Sequence, residues 1–252
     1  MEQEGKYIYC IIQGAGPMDF GTVGIGECGS RVYTIYFQDL SAVVSDSPVK
    51  RYSVSRENLI SHERAIEEVM KTYTVLPVRF ATIAEGEDKV KKILEKEYSR
   101  FVDLLKTMEG KKELGLKAVF KEDIVYKEIL ANNDGIRMKK EKMAKDVKTA
   151  RYQELIELGR LVETALIEEK TRYKDDILNV LEPLALGVKV NNTYGEHMII
   201  NAAFLIERQK ESEFDRKVGV LADSYTDKIK FKYVGTLPPF NFVNIEINTR
   251  DY

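Results

Sequence analysis

The residues Gly24-Ile25-Gly26-Glu27-Cys28-Gly29 match the GxGxxG spacing that cradles a dinucleotide pyrophosphate. That chemistry needs the glycines to join a strand to a helix whose N-terminal amides face the phosphates. Here residues 31–37 follow and alternate as a strand, so the stretch from Gly14 to Gly29 reads as a loop between strands. The other reactive candidates are the two histidines, His62 and His197, and the two cysteines, Cys10 and Cys28. Neither histidine has a second ligand at metal spacing, and no CxxC, GxSxG, P-loop or paired-carboxylate arrangement stands out. His62 is expected at the edge of a core, and the cysteines as buried or partly buried thiols. No catalytic residue, cofactor or metal is therefore assigned.

What remains is a stretch whose residue types conflict with one another. In residues 74–82, Val75, Leu76, Val78 and Phe80 favour a strand, Pro77 removes a ladder donor, and Arg79 places a permanent charge among apolar neighbours. Such a strand belongs at a sheet edge or a bulge. Arg79 reads first as one half of a structural ion pair and second as a partner contact. Near the other end of the chain, Pro238-Pro239-Phe240-Asn241-Phe242 reads first as an internal packing segment and second as a contact surface. The candidate partner-binding residues are accordingly Pro77, Arg79, Phe80, Phe240 and Phe242.

Length and composition bound the rest. A chain of 252 residues predicts two domains, and 44% hydrophobic with 32% charged residues predicts a globular one. The net charge of -2 opposes a phosphate-binding partner, although a local basic face such as Lys228, Lys230 and Lys232 keeps RNA as a minor alternative. The Lys/Glu run over 139–148 reads as a solvated helical face. The apolar run over 7–12 is too short for a signal peptide or a membrane span, which places the expected protein in the cytoplasm.

The fold class expected is α+β. Strands are predicted over 7–12, 31–37 and 40–45, the last two as a hairpin, followed by a helix from Ser55 to Thr74 and one from Glu85 to Met108. The first domain, 1–110, is thus an antiparallel sheet with two helices. The second, 111–236, reads as β-α-β-β-α-β, a ferredoxin-like plan. It carries one long charged helix over 137–181, bent near Gly159, and a helix opened by a capping box at Ser212 and Asp215. Residues 237–252 form a tail in which Val243, Ile245 and Ile247 alternate with polar residues, as an added strand would.

Several of these segments together resemble the gas vesicle F/L family of accessory proteins. The resemblance rests on Tyr7-Ile8-Tyr9, residues 40–45, His62-Glu63, residues 74–82, residues 201–205, Phe231-Lys232-Tyr233-Val234-Gly235 and residues 238–243, in collinear order across nearly the whole chain. It implies a two-domain α+β protein of vesicle-forming cells that is not an enzyme. It also implies association with the small hydrophobic gas vesicle shell protein and other gas vesicle accessory proteins, with neither nucleic acid nor membrane as partner. The family more often has glycine where Ala81 stands. A rival of another class is a small-ligand-binding protein or enzyme with a site between the domains.

Overall fold

The computed structural model describes residues 4–26, 30–145 and 152–249. The chain divides into two compact units, one of Met1–Glu113 with Thr236–Tyr252 and one of Leu114–Gly235. The C-terminal tail therefore belongs to the first unit.

In the first unit, β1 (Glu4–Gln13) lies between β3 (Leu40–Pro48) and β4 (Val75–Pro77), with β2 (Val32–Phe37) outside β3 and β5 (Ile83–Ala84) also on β1. Its residues 7–12 are all fully buried, because both neighbours and both faces of this strand are covered. That accounts for a continuous apolar run where alternation would mark a half-exposed strand. The β2–β3 hairpin turns at Gln38 and Asp39 as expected, with Gln38 at φ 53°. The register of β1 against β3 slips between Ile8 and Cys10, which places a bulge at Tyr9. Helix α1 (Arg56–Met70) is capped by Ser55, whose side chain accepts the Asn58 N–H.

Three expectations for helices and strands are corrected here. Residues 74–82 do not form one strand: β4 ends at Pro77, and residues 79–81 leave the ladder before β5 begins. Val78 N still donates to Tyr9 O at 2.9 Å, and Ile8 N donates to Thr82 O at 2.9 Å, so the excursion is a loop out of an otherwise continuous pairing along β1. The single helix expected over 85–108 is two, α2 (Glu87–Lys96) and α3 (Tyr98–Met108), broken at Glu97 with φ -94° and ψ 6°. The tail does not add a strand; among the described residues it makes one parallel bridge, Ile245 to Val78.

The second unit follows β6 (Lys111–Phe120), whose first residues lie in the first unit, with α4 (Glu122–Asn132), α5 (Asp134–Lys145) and α6 (Tyr152–Leu181). Then come β7 (Gly187–Val190), β8 (Met198–Glu207), α7 (Glu211–Ser224) and β9 (Ile229–Leu237), in a sheet of order β7-β8-β6-β9. Leu114, Leu116, Phe204, Ile206, Phe214 and Ile177 are among the residues of its core.

The long helix expected over 137–181 is also corrected. Lys139 Nζ lies 2.5 Å from Glu157 Oε2. On one straight helix these residues would stand ~27 Å apart. The chain therefore reverses between α5 and α6, and α6 itself runs unbroken past Gly159. Residues 146–151, part of the Lys/Glu run, lie outside the described residues. The capping box at Ser212 is absent as well: α7 begins at Glu211, directly after a short 3-10 turn, and Lys210 at its N-cap makes no side-chain cap.

Candidate functional site

The excursion over 79–81 is fixed from beneath by His62 on α1, which is 3% exposed. Its Nε2 is 3.2 Å from Val78 O and its Nδ1 is 3.1 Å from Tyr7 Oη. A carbonyl only accepts, so Nε2–H donates and Nδ1 is left to accept the tyrosine O–H. Tyr7 Oη in turn accepts Ala81 N–H at 2.9 Å. One neutral imidazole thus ties both ends of the loop, through Val78 directly and through Ala81 by way of Tyr7. Burial pushes His62 down to about 4, against the Val78 bond that favours its charged form.

Two aromatic side chains from distant parts of the sequence lean on this histidine. The Phe80 ring is 5.6 Å from it and edge-on at 87°, and the Phe240 ring is 6.1 Å away at 33°. Phe240 remains 41% exposed. Beside them Arg79 Nη1 is 3.1 Å from Glu246 Oε1, the ion pair expected for Arg79, with both side chains in solvent. Lys50 and Arg51 join Arg79 around an open cleft of about 520 Å³ that also reaches Ile247.

The tail is rooted in this region by a buried acid. Glu113 is 1% exposed and accepts the Asn241 backbone N–H at 3.0 Å and its side-chain amide at 2.5 Å. Desolvation pushes its carboxyl up to about 7 although both bonds favour the anion. Val243 and Ile245 are buried next along the tail.

The structure therefore gathers Arg79, Phe80 and Phe240 on one surface. Pro77 lies buried at the end of β4 and Phe242 is half-buried, so neither is presented on that surface as Arg79, Phe80 and Phe240 are. Sequence reasoning missed Tyr7, Val78, Glu113 and Asn241 as its supports. Nothing in the sequence links Glu113 to Asn241, which stands 128 residues later.

Other candidates have structural occupations. Gly24 sits where a Cβ would come within 2.7 Å of both Ser30 O and Tyr9 Oη, and Tyr9 Oη accepts the Ile25 N–H. Gly24 thus packs over Tyr9, and β2 follows this segment, not a helix. Glu27, Cys28 and Gly29 lie outside the described residues. Cys10 is a buried free thiol, pushed well above its ordinary pKa by desolvation. His197 packs edge-on against Tyr126, with ring centroids 5.7 Å apart. Of the Lys228, Lys230 and Lys232 row, Lys228 is paired with Glu128. Among the described residues no three His, Cys, Asp or Glu side chains group as metal ligands.

The family profile described as "Gas vesicle synthesis protein GvpL/GvpF" matches residues 5–244. The chain is 26% identical over 244 residues to gas vesicle protein F of Nostoc sp., covering 96% of this chain and 98% of that one. It is 25% identical over 247 residues to gas vesicle protein F1 of Halobacterium salinarum, covering 97% and 95%. The crystal structure of the gas vesicle protein GvpF from Anabaena sp. PCC7120 superposes with a TM-score of 0.78 at 28% identity, over 97% of this chain and all of that one. GvpF from Microcystis aeruginosa has the same fold, with a TM-score of 0.76 over 96% of this chain and 99% of that one at 24% identity.

Proposed function

The chain belongs to the GvpL/GvpF family of gas vesicle synthesis proteins, and from that premise we propose that it is a vesicle assembly factor which converts no substrate. In this reading it works in the cytoplasm and at the vesicle, and holds the small hydrophobic shell subunit, together with other accessory proteins, through the edge of its first sheet. One observation carries the reading. Phe80, on the loop clamped by His62, and Phe240, from the tail, both pack on that histidine beside Arg79, and these groups offer apolar area and a cation but no nucleophile or general base. A subunit that must bury apolar hairpins is prone to uncontrolled association before assembly, and a transient sheet-edge contact holds it soluble. Pro77 keeps such an edge from zipping onto a copy of itself. No helix among the described residues is long and apolar enough to cross a membrane.

The test is co-expression with the shell subunit and affinity capture of this chain. The subunit should co-purify, and Phe240→Ser combined with Arg79→Glu should reduce capture at least five-fold while the chain stays folded by circular dichroism. Failure of the unaltered chain to capture the subunit under any growth condition would reject the reading.

A further inference from the structure

We infer that the edge of β4 is a strand-acceptor site which the chain keeps occupied with its own residues 244–247. The partner enters by displacing them with an extended segment of the same chemistry: branched apolar residues at alternate positions and a carboxylate between them opposite Arg79. The inference rests on the proposed function and names how that same edge receives its partner.

The tail reveals what the seat accepts. Val243, Ile245 and Ile247 alternate with Asn244, Glu246 and Asn248, the pattern of a strand with one buried face. Val243 and Ile245 are indeed buried, Ile245 bridges Val78 in the parallel sense, and Glu246 meets Arg79. Its pairing with the edge is a single bridge among the described residues, accompanied by an ion pair exposed on both sides and a long Arg100 to Asn244 O bond of 3.5 Å. Exposed pairs of this kind contribute little.

The root of the tail is held separately. Glu113 clasps Asn241, and Val243 N donates to Pro239 O at 2.8 Å. Residues 244–247 can therefore leave the edge while the turn over 239–243 stays in place. An incoming strand gains the bridge, the apolar contacts and the Arg79 cation together, and it can extend the pairing that the tail leaves incomplete.

Two full-length variants test this. Ile245→Asn loosens the tail, and Val78→Cys/Ile245→Cys in a Cys28→Ser background locks it when oxidised, since bridged residues stand close enough for a disulfide. The probes are a fluorescent peptide copying residues 240–249 and the shell subunit itself. Ile245→Asn should bind both at least ten-fold more tightly than the unaltered chain. The oxidised double-cysteine chain should bind neither and regain both on reduction, and Glu246→Lys in the peptide should cost five-fold or more. If the oxidised, reduced and loosened chains all capture the shell subunit equally, this inference fails and the proposed function stands. If the peptide exchanges as expected but no form captures the subunit, the proposed function fails and the acceptor site remains. If neither loosened nor reduced chain takes the peptide, the acceptor site is rejected. Concentration-dependent dimers of Ile245→Asn that the peptide dissolves would make a second copy the occupant and overturn the assignment of a different partner.

Discussion

The Glu113 carboxylate accepts both the backbone N–H and the side-chain amide of Asn241, and so fastens the root of the C-terminal tail to a strand 128 residues earlier. Glu113→Ala removes the acceptor of both donors at a site that is 1% exposed. The expected loss is about 2 kcal/mol in the first unit. At about pH 5, where the folded chain keeps Glu113 neutral, Glu113→Gln keeps one acceptor oxygen and should cost about half as much. Urea unfolding followed by tyrosine fluorescence measures both.

The same acid and His62 give opposing pH dependences. His62 is lowered from 6.5 to about 4, so between those values the unfolded chain binds a proton that the folded chain does not, and stability rises with pH. Glu113 is raised from 4.5 to about 7, so over that window the folded chain binds the extra proton and stability falls with pH. Each displacement is on the order of 3 kcal/mol. The two slopes nearly cancel between pH 4.5 and 6.5, leaving a plateau with a decline on the alkaline side as Glu113 ionises. Asp39, held by the Tyr98 hydroxyl, adds a loss as the pH falls through the ordinary carboxylate range. Glu113→Gln deletes the falling arm. It should therefore be less stable than the unaltered chain at about pH 5 and more stable at about pH 8, a reversal of sign that unfolding curves at the two pH values would display.

Ala81 adopts φ 62°, in the left-handed region where a Cβ is penalised. The conformation is imposed by its neighbours, since Ala81 N–H must reach Tyr7 Oη while Thr82 rejoins the β1 ladder. Ala81→Gly relieves the Cβ and should stabilise the first unit by about 0.5 kcal/mol after the added freedom of the unfolded chain is subtracted. Ala81→Val should destabilise it by more than 1 kcal/mol, on the order expected for a β-branched residue at positive φ. Thermal unfolding of the pair, with opposite signs, is the check.

The sequence disclosed those features that one local pattern dictates. The run over 7–12 announced a buried strand, Gln38-Asp39 a hairpin, and Lys230 and Lys232 alternating with Phe231 the solvated face of β9. The conflict between Pro77 and Arg79 marked the place where pairing breaks and a charge seeks a partner. What stayed hidden depends on contacts distant in sequence. His62 could be placed at a core edge but not between Tyr7 and Val78, and no local pattern distinguishes Glu113 from the other charges of the chain. The break at Glu97 has neither proline nor glycine to signal it. Continuous helical periodicity on both sides of residues 146–151 concealed a reversal of direction, because an amphipathic stripe reports which face is buried and not where the axis turns.

That reversal can be measured directly. Lys139 and Glu157 meet across α5 and α6, whose apolar residues Ile136, Leu158 and Val162 join the core of the second unit. The ion pair itself is largely in solvent on the Glu157 side, so Lys139→Ala should change stability by no more than about 0.5 kcal/mol. Geometry is the sharper readout. Lys139→Cys/Glu157→Cys should be joined within one chain by a reagent spanning about 8 Å, whereas a continuous helix would hold the two thiols near 27 Å and leave them unlinked. Intramolecular cross-linking seen by mass spectrometry, with Lys139→Cys/Thr171→Cys as the control beyond reach along α6, would fix the hairpin. Absence of the 139–157 link would restore the single long helix.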